Sequence, residues 1–192
     1  VSGAPARAEI EGIVLAGGPG RRLAGPKASV VVGGTTLVER SVATLASRCA
    51  SVMIVSRAEV ELPPVDAETI LDRPGPDCPL NALATGLAAA DAPFVLVLAC
   101  DLPLAGPMIG ALAAHPGQGP VAGSERGRVQ PLCARYPRTR ALTAARDLLE
   151  AGVLRAQALA EALDAERIED RWGALHNVNT PADLAAAERL LG

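Results

Sequence analysis

The stretch Leu15-Ala-Gly-Gly-Pro-Gly-Arg-Arg-Leu-Ala-Gly-Pro-Lys27 concentrates residue types that hold anionic oxygen. Glycines leave backbone N–H groups open to close approach, because no Cβ stands in the way. Arg21, Arg22 and Lys27 add positive charge to the same loop. Together they predict a phosphate site; the alternative is a plain glycine turn. Two familiar phosphate templates do not fit. A P-loop needs Gly-Lys-Ser/Thr, whereas Gly25 is followed by Pro26, Lys27 and Ala28. A dinucleotide fingerprint needs Gly-x-Gly-x-x-Gly, and Gly18-Pro-Gly20-Arg-Arg-Leu23 lacks the third glycine, which disfavours a dinucleotide-binding oxidoreductase. Of the 18 Lys and Arg residues, Lys27 is the one lysine. Either coding bias favours Arg throughout, or this position requires a compact ammonium.

A second anchor is Asp101, directly after the apolar run Phe94–Cys100. It reads either as a turn or N-cap residue, or as a ligand of Mg²⁺. Magnesium takes few carboxylates and completes its shell with water and phosphate oxygens, so one well-placed Asp suffices. Asp72 either starts an Asp-Arg-Pro-Gly turn or contacts a ligand, and Asn177 and Asn179 either satisfy loop backbone or face a substrate. Arg126 and Arg128 flank Gly127 in an expected hairpin turn, solvated or open to an anionic acceptor. His115 reads as loop surface, and His176 stays unassigned. Cys49, Cys78, Cys100 and Cys133 form no Cys-x-x-Cys pair, which argues against a zinc site.

These residues need strand ends and loops to carry them. Ile13–Leu15, Val52–Val55, Glu68–Leu71, Phe94–Cys100 and Val129–Tyr136 read as strands. Thr36-Leu-Val-Glu39 is a capping box. It opens a helix whose apolar face is Val38, Val42, Leu45 and Cys49, spaced i, i+4, i+7 and i+11. Further helices are expected at Leu80–Ala90, Gly106–Ala114, Ala141–Glu150 and Arg155–Leu163, and a last one starting at Thr180-Pro181. The alternation predicts an α/β fold: one domain over residues 10–192 with a mostly parallel central sheet and helices on both faces. Residues 1–9 read as a flexible N-terminal segment. Ligands of such sheets bind beyond the carboxyl ends of the strands, where both the Gly-rich loop and Asp101 fall.

The chain of 192 residues is 49 % hydrophobic but only 2 % aromatic, so the core must be built from Ala, Val, Leu and Ile. A net charge of −3 provides no general attraction to nucleic acid or an anionic membrane. No run reaches the roughly 20 apolar residues of a membrane span, and no secretory signal is visible. Cysteines inside apolar runs suit a reducing compartment, so the cytoplasm is the expected location.

In these motifs the chain resembles the molybdenum cofactor guanylyltransferases, the MobA-like nucleotidyltransferases. Leu-Ala-Gly-Gly, the following Arg-Arg and Lys27 look like that family's opening loop. Val32-Gly-Gly-Thr-Thr-Leu37, Asp72 with Cys78-Pro-Leu80, Cys100-Asp-Leu-Pro103, Gln130-Pro-Leu-Cys-Ala134 and Asn177-Val-Asn-Thr-Pro181 follow in the family's order. The chain departs from it at Pro26, Cys78, Asn81-Ala82 and Val55-Ser56-Arg57. The resemblance implies a Rossmann-like nucleotidyltransferase fold. It also implies Mg²⁺-dependent transfer of GMP from GTP to the phosphate of molybdopterin or the molybdenum cofactor, with release of pyrophosphate. Lys27, Asp101 and Arg22 would be catalytic. Leu15, Ala16, Gly17, Gly18, Lys27, Asp72 and Asp101 would bind nucleotide, with Asp101 as the metal ligand. Asn177 and Asn179 would face the acceptor. The implied partners are GTP, a molybdopterin-type compound and, transiently, cofactor-biosynthesis proteins or molybdoenzymes, with no nucleic acid and no membrane. The alternatives are cytidylyl transfer to molybdopterin, guanylyl transfer to a phosphorylated hydroxy acid, or a non-catalytic nucleotide-binding protein.

Overall fold

The computed structural model describes residues 3–18, 20, 23 and 25–191. Along the chain run β1 (Ile10–Leu15), β2 (Val31–Val32), β3 (Thr35–Thr36), α1 (Leu37–Ala46), β4 (Ser51–Ser56), β5 (Glu68–Leu71), α2 (Pro79–Ala89) and β6 (Phe94–Ala99). Then follow α3 (Gly106–Ala114), β7 (Val121–Glu125), β8 (Arg128–Pro137), α4 (Arg138–Glu150), α5 (Gln157–Ala162), β9 (Glu166–Glu169) and α6 (Pro181–Leu191). Among the described residues, seven strands form one sheet in the order β5-β4-β1-β6-β8-β7-β9. Strand β8 runs antiparallel to its neighbours β6 and β7, and the other pairings in this sheet are parallel. The expected mostly parallel sheet is thus present.

Period-two alternation divides the core between the two faces. Val14, Ile54, Leu96 and Leu98 pack with Val38, Val42 and Leu45 of α1 and Met108, Ile109 and Leu112 of α3. Ile13, Val55, Val95 and Val97 pack with Leu80, Leu83 and Leu87 of α2, Ala141 and Ala145 of α4 and Leu159 of α5. With almost no aromatic rings to fill gaps, helices lie close to the sheet. A Cβ on Gly86 of α2 would stand 2.8 Å from Ile13 Cγ2, so only glycine fits there without a shift. The capping box of α1 forms as predicted: Thr36 N donates to Glu39 Oε2 at 2.9 Å, and Glu39 N to Thr36 Oγ1 at 3.3 Å.

The structure differs from the expected elements at two places. The helix expected at Arg155–Leu163 spans only Gln157–Ala162, and α4 begins earlier, at Arg138. Strands β7 and β9 were not predicted, because Val-Ala-Gly-Ser-Glu and Glu-Arg-Ile-Glu are too short to show a clear period. Of the segment 1–9, Arg7–Glu9 forms a 3₁₀ turn, tied down by Arg7 Nε donating to Cys49 O at 2.9 Å.

Strand β8 carries one irregularity that matters below. Its pairing with β7 passes from Ala122↔Ala134 to Gly123↔Gln130, so Pro131–Cys133 have no partner in β7, while Cys133 still pairs with Leu98 of β6. Bulges of this kind re-aim side chains. The buried Tyr136 hydroxyl donates to Pro131 O at 2.9 Å and pins the bulge. Burial raises the Tyr136 pKa, which keeps the hydroxyl a donor.

Candidate active site

Sheet register assembles the site. In the parallel ladders Leu15 pairs with Val55 and with Ala99, while Ser56 pairs with Leu71. The carboxyl ends of β5, β4, β1 and β6 therefore stand level. The residues that follow them, Asp72, Arg57, Ala16 and Cys100-Asp101, emerge along one rim. Here lies a cavity of about 260 Å³ lined by Gly17, Gly18, Lys27, Ser56, Asp72 and Asp101, over an apolar floor that includes Leu15, Val55 and Leu132.

The Gly-rich loop doubles back on itself. Gly20 has φ +57°, and a Cβ there would collide with the Gly25 carbonyl oxygen, so the turn requires glycine. Lys27 N reaches Gly18 O at 3.4 Å, which closes the loop and returns Lys27 to the strand ends. One expectation changes. Ala16 N donates to Val55 O at 2.9 Å, prolonging the ladder between β1 and β4, so it is not a free phosphate donor. Among the described residues nothing accepts from the N–H groups of Gly17 and Gly18. Arg21 and Arg22 lie outside the described residues, and the catalytic role expected of Arg22 with them.

Lys27 Nζ donates to Asp101 Oδ2 at 2.7 Å and also to Asn179 Oδ1. The Lys27 and Asp101 side chains are 20 % and 18 % exposed. The closing motif is docked against this pair: Val178 N donates to Asp101 O at 2.8 Å. Asp183, in the first turn of α6, accepts from Asn179 N at 3.0 Å and Thr180 N at 2.8 Å. The Thr180 side chain first, then the Asn179 N–H, holds the Asp183 carboxyl below its ordinary pKa. The sequence places the start of the last helix at Thr180-Pro181, and Asp183 was passed over there, although Thr-x-x-Asp is itself a capping-box signal.

Asn177 and Asn179 line a second, polar cavity of about 300 Å³ with Glu125, Arg128, Gln130 and Gln157. From the bulged stretch of β8, Leu132 lines the first cavity and Gln130 the second. Lys27 and Asn179, bonded to each other, stand at the seam.

Asp72 is held from α2. Its Oδ1 accepts from Asn81 Nδ2 at 3.0 Å and from Thr85 Oγ1 at 2.9 Å. Asn81, which departs from the family pattern, thus positions Asp72, and no motif in the sequence pointed to it. Two more residues on the wall of the first cavity were missed. Ser56 Oγ is buried with no described partner, and Arg57 pairs with Asp77 near Gly17. Single polar residues at strand ends carry no sequence signal of their own. Cys100 is fully buried, and its thiol is pushed up to about 12, by burial first and the Asp101 carboxylate second. It is a neutral wall residue and no nucleophile.

The donor set can be tested against Mg²⁺. Among the described residues there is no cluster of three or more metal-ligating side chains. Asp101 Oδ1 accepts no hydrogen bond from any described residue, and the glycine loop lies beside it. One carboxylate at a rigid strand end fits a cation that a ligand's phosphates bring with them, and does not fit a resident all-protein metal cage.

Residues 12–167 match the MobA-like NTP transferase domain. A relative from Chloroflexus aggregans, named a probable molybdenum cofactor guanylyltransferase, is 32 % identical over 98 % of each chain. One of the same name from Mycobacterium ulcerans is 36 % identical over 94 % of each. The crystal structure of molybdopterin-guanine dinucleotide biosynthesis protein A from Archaeoglobus fulgidus superposes with a TM-score of 0.76 at 22 % identity, covering 94 % of this chain and 98 % of that one.

Proposed function

Since the chain belongs to the MobA-like NTP transferase family, we propose that it transfers GMP from GTP to the phosphate of molybdopterin or its molybdenum-loaded form in molybdenum cofactor biosynthesis. The observation that carries this reading is Lys27 at the seam: one ammonium touches Asp101 on the wall of the first cavity and Asn179 on the wall of the second. A group transferred between two bound substrates must pass such a point.

GTP would occupy the first cavity, with its phosphates at the Gly17 and Gly18 N–H groups and at Lys27. Asp72, pre-set by Asn81 and Thr85, would meet the nucleoside. The acceptor, in the second cavity, would present its phosphate beside Asn179. An oxygen of that phosphate attacks the α-phosphorus in line, the bond from α-phosphorus to the β-bridging oxygen breaks, and pyrophosphate leaves with the electron pair. The nucleophile is already anionic, so no general base is needed. Catalysis rests on positioning and on neutralising charge. Asp101 would hold Mg²⁺, which when bound supplies charge neutralisation on the phosphates and the departing pyrophosphate.

Among the described residues no helix is long and apolar enough to cross a membrane. The four cysteines are buried and free, as suits a reducing cytoplasm, the proposed place of action. The test is pyrophosphate release with molybdopterin, Mg²⁺ and each nucleoside triphosphate in turn. GTP should support turnover well above CTP and ATP, because a pocket built to hydrogen-bond one base edge leaves its polar groups unpaired with another. Equal or faster turnover with CTP would make the chain a cytidylyltransferase. No turnover with any of the four would leave a nucleotide-binding protein without catalysis.

A further inference from the structure

The second cavity holds more recognition chemistry than a phosphate requires. A phosphate alone calls for cations, but here the formal charges of Glu125 and Arg128 cancel, and the remaining polar lining is four neutral amides: Gln130, Gln157, Asn177 and Asn179. Asn179 is committed to Lys27, and Asn177 Nδ2 donates to Leu175 O at 3.3 Å. Gln130 and Gln157 are half-buried, and their amides bond no described residue. Both are nonetheless held by rigid parts of the fold. Gln130 sits at the edge of the β8 bulge that Tyr136 pins. Gln157 opens α5, whose next three residues, Ala158, Leu159 and Ala160, are buried against the sheet.

We infer that Gln130 and Gln157 determine acceptor specificity by reading the edge of a flat, uncharged heterocycle that carries neighbouring N–H and C=O groups. Each amide offers a donor and an acceptor, and two amides lining one cavity match an edge that alternates them. A cavity of about 300 Å³ admits a ring system. Glu125, an acceptor only, suits a further ring N–H or amino group. A small phosphorylated hydroxy acid would bring a carboxylate, and the lining has no uncancelled cation to receive it. This inference rests on the transfer reaction proposed above and names the residues that choose its acceptor.

The experiment uses the full chain and molybdopterin, with two readouts: steady-state pyrophosphate release and calorimetric titration of molybdopterin. Gln157→Leu and Gln130→Leu should each weaken molybdopterin binding and raise its KM roughly tenfold, the worth of one or two lost hydrogen bonds. The KM for GTP and the thermal shift induced by GTP should stay at wild-type values, which also shows that the fold is intact. Gln157→Glu, which keeps an acceptor oxygen and loses the donor, should fall between. Turnover in the wild type with unchanged molybdopterin binding in both leucine variants overturns the inference and leaves the transfer reaction standing. Weakened binding in the variants of a chain that shows no turnover supports the inference while the reaction fails. A wild type that does not bind molybdopterin overturns it outright.

Discussion

Lys27→Met removes the ammonium at the seam of the two cavities and keeps most of its aliphatic stem. The ion pair with Asp101 is 2.7 Å long, with side chains 20 % and 18 % exposed. At that separation and an effective dielectric near 20 the bare attraction is about 6 kcal/mol. Desolvation offsets most of this, and a hydrogen bond to a charged group nets about 1.5–3 kcal/mol. For a chain of this size that corresponds to a melting temperature lower by roughly 3–12 °C. The catalytic loss should be separate and larger. Losing one group that stabilises the transition state costs about 10²–10³ in kcat. A double-mutant cycle with Asp101→Asn divides the two effects. The double variant leaves no unpaired carboxylate, so it should recover most of the lost melting temperature. Its turnover should stay as low as that of Lys27→Met. Pyrophosphate release and thermal unfolding on the four proteins provide the numbers. Unchanged kcat and KM in Lys27→Met would refute the assignment, as would activity that returned with stability in the double variant.

Two further outcomes test neighbouring parts of the site. Asp101→Asn alone should fold, because Asn still accepts from Lys27. It should nevertheless lose the Mg²⁺-dependent increment in GTP affinity, since Asn supplies an oxygen without the charge that offsets the cation; an increment equal to wild type in calorimetry would remove Asp101 as the metal ligand. Asp183 has a depressed pKa in the folded chain, so its contribution to stability is full above the ordinary Asp value near about pH 3.9 and disappears as pH falls through the lowered folded value. The melting-temperature gap between wild type and Asp183→Asn should therefore be constant at neutral pH and narrow in acid; a gap independent of pH would mean that the carboxylate does not hold the Asn179-Thr180 turn.

Much of this molecule is written in local patterns. The capping box at Thr36, the continuous apolar run before Asp101 and the glycines around Lys27 each express a local rule of backbone or solvation, so the strands, most helices and both anchors of the site were legible without coordinates. Strands β7 and β9 were not, since short segments acquire their conformation from the neighbour that completes their hydrogen bonds. The site behaved in the same way. Sequence order could name Lys27, Asp101 and Asn179 but not join residues 27, 101 and 179 in one hydrogen-bonded group, because that contact depends on parallel register bringing strand ends level. Likewise, nothing local shows that the Ala16 N–H is committed to Val55 O in the β1–β4 ladder, or that Asn81, a departure from the family pattern, is bonded to Asp72. The sequence by itself determined which chemical groups are present and which strand ends carry them, because those follow from local sterics and hydrophobic periodicity. Only the tertiary structure decided which groups touch, which are already satisfied and that the site is split into two cavities, because hydrogen-bond partnership and enclosure are properties of segments distant in sequence and meet only when the sheet is assembled.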